Sequence, residues 1–140
     1  LVISGFPFVS VPVLSEHITL TPANFSIVNG LKITALRMEK VSRDLAEAHY
    51  FEHKGREYYD ALIAFITRST ICALVLEGEN AIERTRDING ATNPEKQKEG
   101  TIRKVFAKNT RENCVHASDS SESAAREIAL WFPEIQKEAN

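Results

Sequence analysis

The chain has 140 residues, enough for one ordinary domain. With 43% hydrophobic and 26% charged residues it can bury a core, and its net charge of -2 excludes the basic footprint of a sequence-independent nucleic-acid binder. No run of about 18 apolar residues occurs, which excludes a transmembrane helix read from sequence.

Charge is unevenly spread: residues 1–36 carry only two charged side chains, Glu16 and Lys32. Residues 1–14 are apolar and broken by Gly5, Pro7 and Pro12, with no basic start, so they make a poor secretory signal. They read as an apolar extension of extended or irregular chain, with the domain proper at residues 15–140. Residues 18–20 suit a short first strand, and residues 22–30, with a proline and two asparagines, hold at most a short helix. Residues 31–38 read as a strand. Ser42 is suited to cap a helix running to His53, because its hydroxyl can accept an orphan backbone N–H. Residues 56–68 predict a second helix, with Tyr59, Leu62, Ile63 and Ile66 at helical spacing. The unbroken apolar run 71–76 predicts a buried strand, and 80–89 a helix with Gly90 placed to end it.

The polar stretch 91–112 is longer than an ordinary connection, and such loops are usually functional or disordered. Residues 113–116 predict a last short strand. Asp119 with Glu122 three residues on resembles a capping box opening a helix to Phe132. This order predicts an α/β (α+β) fold, a split-βαβ sandwich of the ferredoxin-like type with a four-stranded antiparallel sheet.

The chemistry concentrates in Asn113-Cys114-Val115-His116-Ala117-Ser118-Asp119-Ser120. A lone histidine at a strand end is more often structural than catalytic. Here Glu127 in the next helix can fold back toward the ring, and imidazole is a good nucleophile when one nitrogen is free and the other hydrogen-bonded. The preceding loop carries Thr92 and Arg103, which suit phosphate. Arg86 by itself reads as a surface residue pairing with Glu83 or Asp87, worth about 0.5 kcal/mol or less. Tyr59 and Phe65 read as core. His17, His49 and His53 have no convergent partners in sequence. Cys72 and Cys114 show no metal spacing and suit a reducing, cytoplasmic setting; Cys114 reads as packed and turned away from His116.

Residues 113–120 resemble the active-site signature of nucleoside diphosphate kinases, N-x-x-H-[GA]-S-D-[ST]. The resemblance runs without gaps from about Gly30 to Pro133. His49-Tyr50, Arg56-Glu57-Tyr58-Tyr59, Val75-Leu76-Glu77-Gly78-Glu79-Asn80-Ala81, Gly90-Ala91-Thr92-Asn93-Pro94 and Gly100-Thr101-Ile102-Arg103 fall in the family's order and spacing. It implies that His116 takes the γ-phosphoryl group on Nδ1, in a ping-pong transfer between a nucleoside triphosphate and a nucleoside diphosphate. It implies that Glu127 and Ser118 orient the ring, and that Arg86, Thr92 and Arg103 hold the phosphates. Asn113 would contact the ribose, Tyr50 line the phosphate site, and Tyr58 stack on the base where the family usually has phenylalanine. It also implies Mg²⁺ carried by the nucleotide and a homo-oligomer, hexameric or tetrameric. Membrane and nucleic-acid partners are not expected.

One departure stands out. The family's first strand ends in Lys-Pro-Asp. If Pro22 is the equivalent proline, Thr21 and Ala23 stand in for the lysine and the aspartate, and only 12 residues from Thr19 to Gly30 remain for a first helix that would then be shortened. Losing a preorganised cation commonly lowers rate about 10²- to 10³-fold. The alternative to an active kinase is therefore a kinase-like nucleotide-binding or assembly module with impaired turnover.

Overall fold

The computed structural model describes residues 2–5 and 31–138. Four strands, β1 (Val2–Gly5), β2 (Lys32–Lys40), β3 (Thr70–Glu77) and β4 (Val115–Ala117), form one antiparallel sheet in the order β2-β3-β1-β4. β1 and β2 flank β3, each antiparallel to it, so they run in the same direction; this is the split βαβ arrangement. The helices are α1 (Arg43–His49), α2 (Tyr59–Thr67), α3 (Ala81–Asn89), α4 (Ile102–Phe106), α5 (Ser121–Trp131) and α6 (Pro133–Glu138). The fold is thus the predicted α/β sandwich.

The local chemistry explains most element ends. Ser42 caps α1 by accepting from the Leu45 N–H at 3.2 Å. α1 stops at His49, short of the expected His53, because the chain tightens into a 3₁₀ turn at Phe51–His53 and reverses at Gly55, φ 85°. That reversal also delays α2 to Tyr59. Gly90, φ 84° and ψ 168°, ends α3 and returns its N–H to the Arg86 carbonyl. The long polar stretch is not structureless: it holds a 3₁₀ turn at Pro94–Lys96 and α4, capped by Thr101. The capping box of α5 sits one residue later than expected, between Ser120 and Ser123. α6 begins with a proline at its first position, where no N–H is needed.

β3 buries Ile71, Ala73 and Val75 on one face. Against them pack Ala46 of α1, Tyr59, Ile63 and Ile66 of α2, and Trp131 with Phe132 at the end of α5. Arg37 of β2 ties this layer down, donating to the Trp131 carbonyl at 2.9 Å and lying over the Phe132 ring.

The interior sheet position between β3 and β4 is filled by Val2–Gly5, four residues of the stretch read from sequence as an extension. The strand expected at residues 18–20 lies outside the described residues, as does the first helix. The count that suggested a shortened helix began at residue 19. With β1 ending at Gly5, residues 6–31 separate the first two strands. By chain position the proline following the first strand is Pro7, in Phe6-Pro7-Phe8, rather than Pro22. No lysine occurs in residues 1–31, so neither proline is preceded by one.

Candidate active site

β4 is only three residues long, and its register sets the site. Ile3 of β1 pairs with Ala73 on one side and His116 on the other, which puts His116 on the sheet face shared with buried Ala73. That face is covered by α1, α2 and α5, so the imidazole emerges among them, half-buried. Behind it, Glu127 is 3% exposed. Its Oε1 lies 3.1 Å from His116 Nε2, and its Oε2 accepts from the Ser118 hydroxyl at 2.5 Å. Burial pushes the Glu127 pKa up, but the hydrogen bonds from His116 and Ser118 outweigh it and hold the carboxyl at about 2. An ionised carboxylate only accepts, so Nε2 of His116 carries a proton, and in the Nε2–H tautomer Nδ1 keeps its lone pair.

A second histidine backs the first. His49, at the end of α1, is 3% exposed, and its ring meets that of His116 edge-on at 4.8 Å. Its Nδ1 accepts from the Trp131 indole N–H at 3.1 Å. Trp donates only, so His49 is the Nε2–H tautomer. Burial, and then the neighbouring His116, hold its pKa down at about 3, so the ring is neutral at working pH. His49, His116 and Glu127 bring ligand-type atoms within 4.8 Å of one another. A metal there would need a lone pair on His49 Nε2, which holds the proton, so this tautomer does not suit a resident ion. Tyr50 packs edge-on to His49 at 4.5 Å, and burial followed by the Glu127 charge raises its hydroxyl pKa to about 12.

In front of His116 opens a cleft of about 560 Å³, the size of a small-molecule site. Of the sequence-predicted residues, Tyr50, Tyr58, Thr92, Arg103, Asn113 and His116 line it. Glu127 and Ser118 lie behind His116. Arg86 instead lines a neighbouring depression with Asp87 and Asp119, and it reaches the Ala117 carbonyl at 3.5 Å. Arg103 bridges two segments, donating to the carbonyls of Gly90 and Val115, each at 2.7 Å. Burial, and then the Arg86 charge, lower the Arg103 pKa. Two cations that repel each other beside a cleft are what an anionic ligand would relieve. Asn113 donates to the Thr110 carbonyl at 3.0 Å.

Sequence reasoning missed five residues in or behind the cleft. His49 received no chemistry, because its partner Trp131 lies 82 positions away. His53, also unassigned, lines the cleft and touches Tyr58. Cys114 lines the cleft as well: residues two apart on a strand share a face, and Cys114 in any case precedes β4 with φ 76°. Arg68 and Arg111 join Arg103 as the cleft's cations; no lysine is among its described lining residues.

The described residues thus form a ferredoxin-like sandwich carrying a carboxylate-backed histidine on the floor of an arginine-rimmed cleft. The sequence model of the family described as nucleoside diphosphate kinase matches residues 23–136, a range that leaves β1 outside it. The chain is 56% identical over 106 residues to a nucleoside diphosphate kinase of Clostridium perfringens, covering 76% of this chain and 74% of the relative. It is 50% identical over 105 residues to that of Methanocaldococcus jannaschii, covering 75% of each. Among solved structures it resembles the family protein from Babesia bovis, with a TM-score of 0.72, 40% identity, and coverage of 76% of this chain and 72% of that one. The Aquifex aeolicus nucleoside diphosphate kinase gives a TM-score of 0.70 at 39% identity, covering 74% and 75%. The chain belongs to the nucleoside diphosphate kinase family.

Proposed function

We propose that this chain transfers the γ-phosphoryl group of a nucleoside triphosphate to a nucleoside diphosphate through a phosphohistidine on His116. The observation that carries the reading is the His116–Glu127 contact at 3.1 Å, which leaves Nδ1 as the nucleophilic nitrogen on a cleft-lining ring. The Nδ1 lone pair attacks the γ-phosphorus. The bond from that phosphorus to the β,γ-bridging oxygen breaks, and the nucleoside diphosphate leaves with the electron pair. The phosphorylated ring is cationic and keeps its Nε2 proton, and the ionised Glu127 offsets that charge as it develops. The terminal phosphate oxygen of a second diphosphate then attacks the phosphohistidine and regenerates the free ring, which gives ping-pong kinetics.

Arg103 and Thr92 supply donors for phosphate oxygens along the cleft wall, and Arg86, just outside it, adds positive potential. Tyr58 offers a stacking face that any base can use, so base discrimination is low. Asn113 serves the ribose and Tyr50 the phosphate end. Family members use a divalent metal, and Mg²⁺ is our reading here. The described cleft lining holds no carboxylate, which fits an ion that arrives on the nucleotide rather than one resident in the protein. When bound it neutralises the phosphate oxygens; the protein's own part is to hold the nucleotide and the ring in line. Relatives named as kinases at 50–56% identity support turnover over a binding-only module.

A homo-oligomer is part of the same reading. β2 is an edge strand among the described residues, and it exposes Leu36 at 45% and Met38 at 64%, the kind of apolar edge that assembly covers. No described helix is long and apolar enough to cross a membrane.

The decisive experiment mixes the chain with γ-labelled ATP and Mg²⁺. We expect an acid-labile label that a second nucleoside diphosphate removes. No label, or a label retained by His116→Ala, overturns the reading.

A further inference from the structure

The mouth of the cleft carries a contact that phosphoryl transfer leaves unused. Tyr58 stands just ahead of α2 and is 44% exposed, yet its hydroxyl lies 2.9 Å from Nδ1 of His53. An exposed tyrosine ordinarily bonds water and samples several rotamers. Here the hydroxyl meets a ring that is itself held. His53 is set edge-on against Tyr50 at 5.8 Å, and Tyr50 packs on buried His49 at 4.5 Å. The backbone between the two partners is pinned as well: the His53 N–H donates to the Tyr50 carbonyl at 2.9 Å, Arg56 N–H to His53 at 3.0 Å, and Tyr59 N–H to Arg56 at 3.0 Å. Both side chains line the cleft.

We propose that His53 is a positioning residue for the nucleobase: by holding the Tyr58 hydroxyl at Nδ1, it sets the Tyr58 ring as a stacking face before any nucleotide arrives. The proposal rests on reading the cleft as the nucleotide site. Freezing a free aromatic side chain on binding weakens binding, and a ring already held by an intramolecular bond avoids that loss. The family ordinarily has phenylalanine at this position, so the hydroxyl and its latch are features of this chain. A latch that orders the ring without touching the base must help every base equally. A hydroxyl that bonded the base directly would favour some bases over others.

The test is calorimetric binding of ADP, GDP and CDP, each with Mg²⁺, to the intact chain and to Tyr58→Phe, His53→Ala, His53→Asn and the Tyr58→Phe/His53→Ala double variant. We expect Tyr58→Phe to weaken all three nucleotides by the same factor, about three- to tenfold, the equilibrium equivalent of one net hydrogen bond. His53→Ala should match it, and the double variant should lose no more than either single one. His53→Asn, which keeps a hydrogen-bonding atom at the δ position, should recover most of the affinity. In turnover, KM should rise more than kcat falls. Unchanged affinity in Tyr58→Phe, a loss that depends on the base, or additive losses would each overturn the latch. If the unsubstituted chain binds no nucleoside diphosphate, the site reading and the latch fall together. Normal phosphoryl transfer with an unaffected Tyr58→Phe variant removes the latch alone.

Discussion

The indole N–H of Trp131 donates to Nδ1 of His49 at 3.1 Å, across 82 positions of sequence, with both rings buried. Trp131 lies one helical turn beyond Glu127 on α5, so one helix face supplies both the carboxylate that holds His116 and the donor that fixes the ring beside it. His116 therefore stands against neighbours whose protons are assigned. Glu127 accepts a hydrogen bond from the proton that His116 keeps on Nε2, and His49 keeps its own on Nε2.

Removing that donor should be felt in stability. Trp131→Phe fills most of the volume but leaves the buried Nδ1 of His49 with no partner, and an unsatisfied buried acceptor costs about 1–3 kcal/mol. Equilibrium denaturant unfolding of the variant should show a loss in that range, added to a small packing loss. A change below about 0.5 kcal/mol, the scale of an ordinary surface substitution, would show that the bond contributes nothing net.

The same histidine predicts an acid sensitivity. The His49 pKa is lowered from 6.5 to about 3 in the folded chain. Between those values the unfolded state binds a proton that the folded state refuses, so stability is full above pH 6.5 and falls as pH drops toward 3. Glu127 acts lower: with its pKa lowered from 4.5 to about 2, its contribution is full above pH 4.5 and is lost toward pH 2. His49→Asn keeps a δ-position acceptor for Trp131 and removes the titration. Unfolding free energies measured across pH 4.5–6.5 should have a shallower slope in this variant. An identical slope would assign the acid sensitivity elsewhere.

What could be read from sequence and what could not divides along physical lines. His116, Glu127 and Ser118 were legible because a short strand, a cap and a helix bring them together within twelve residues of chain. The strands β2 and β3 and the stop at Gly90 were legible from periodicity and from glycine's freedom at positive φ. The interior strand was not: Val2–Gly5 carries no pattern that separates it from the apolar run after it, and only its pairing with β3 and β4 marks it. His49 and His53 were likewise opaque, since their meaning lies in contacts with Trp131, His116 and Tyr58 that no local pattern announces. Arg86 points the other way: the family resemblance, not its own pattern, set it beside Thr92 and Arg103, and the fold seats it in a depression next to the cleft.

Glu127→Gln separates the charge of the carboxylate from its shape. The amide can still accept from His116 and still face Ser118, but it cannot offset the positive charge of a phosphorylated ring. Loss of the group that orients a functional histidine commonly lowers activity about 10- to 100-fold. The rate of phosphohistidine formation, followed in a single turnover with labelled ATP, should fall by that factor, while ADP affinity changes little. Wild-type rates in the variant would assign Glu127 a structural role only.

Gly90 links the polar loop to the site, and its replacement should damage both. Its φ of 84° with ψ of 168° lies in a region essentially reserved for glycine. A Cβ there would fall 2.4 Å from the Thr101 hydroxyl oxygen and 2.7 Å from Thr101 Cβ. Thr101 caps α4, which carries Arg103, and Arg103 in turn donates to the Gly90 carbonyl at 2.7 Å. Gly90→Ala should therefore destabilise the chain by about 1–3 kcal/mol and also weaken nucleotide binding, because the anchor of Arg103 moves with it. Gly100 is the control: its φ of 81° is equally left-handed, but nothing lies within 4 Å of a Cβ built there. Gly100→Ala should show the backbone strain alone, about 1–2 kcal/mol, with a smaller change in ADP affinity. Calorimetric titration of both variants checks this, and equal affinity losses would mean that the contact of Gly90 with Thr101 does not transmit to Arg103.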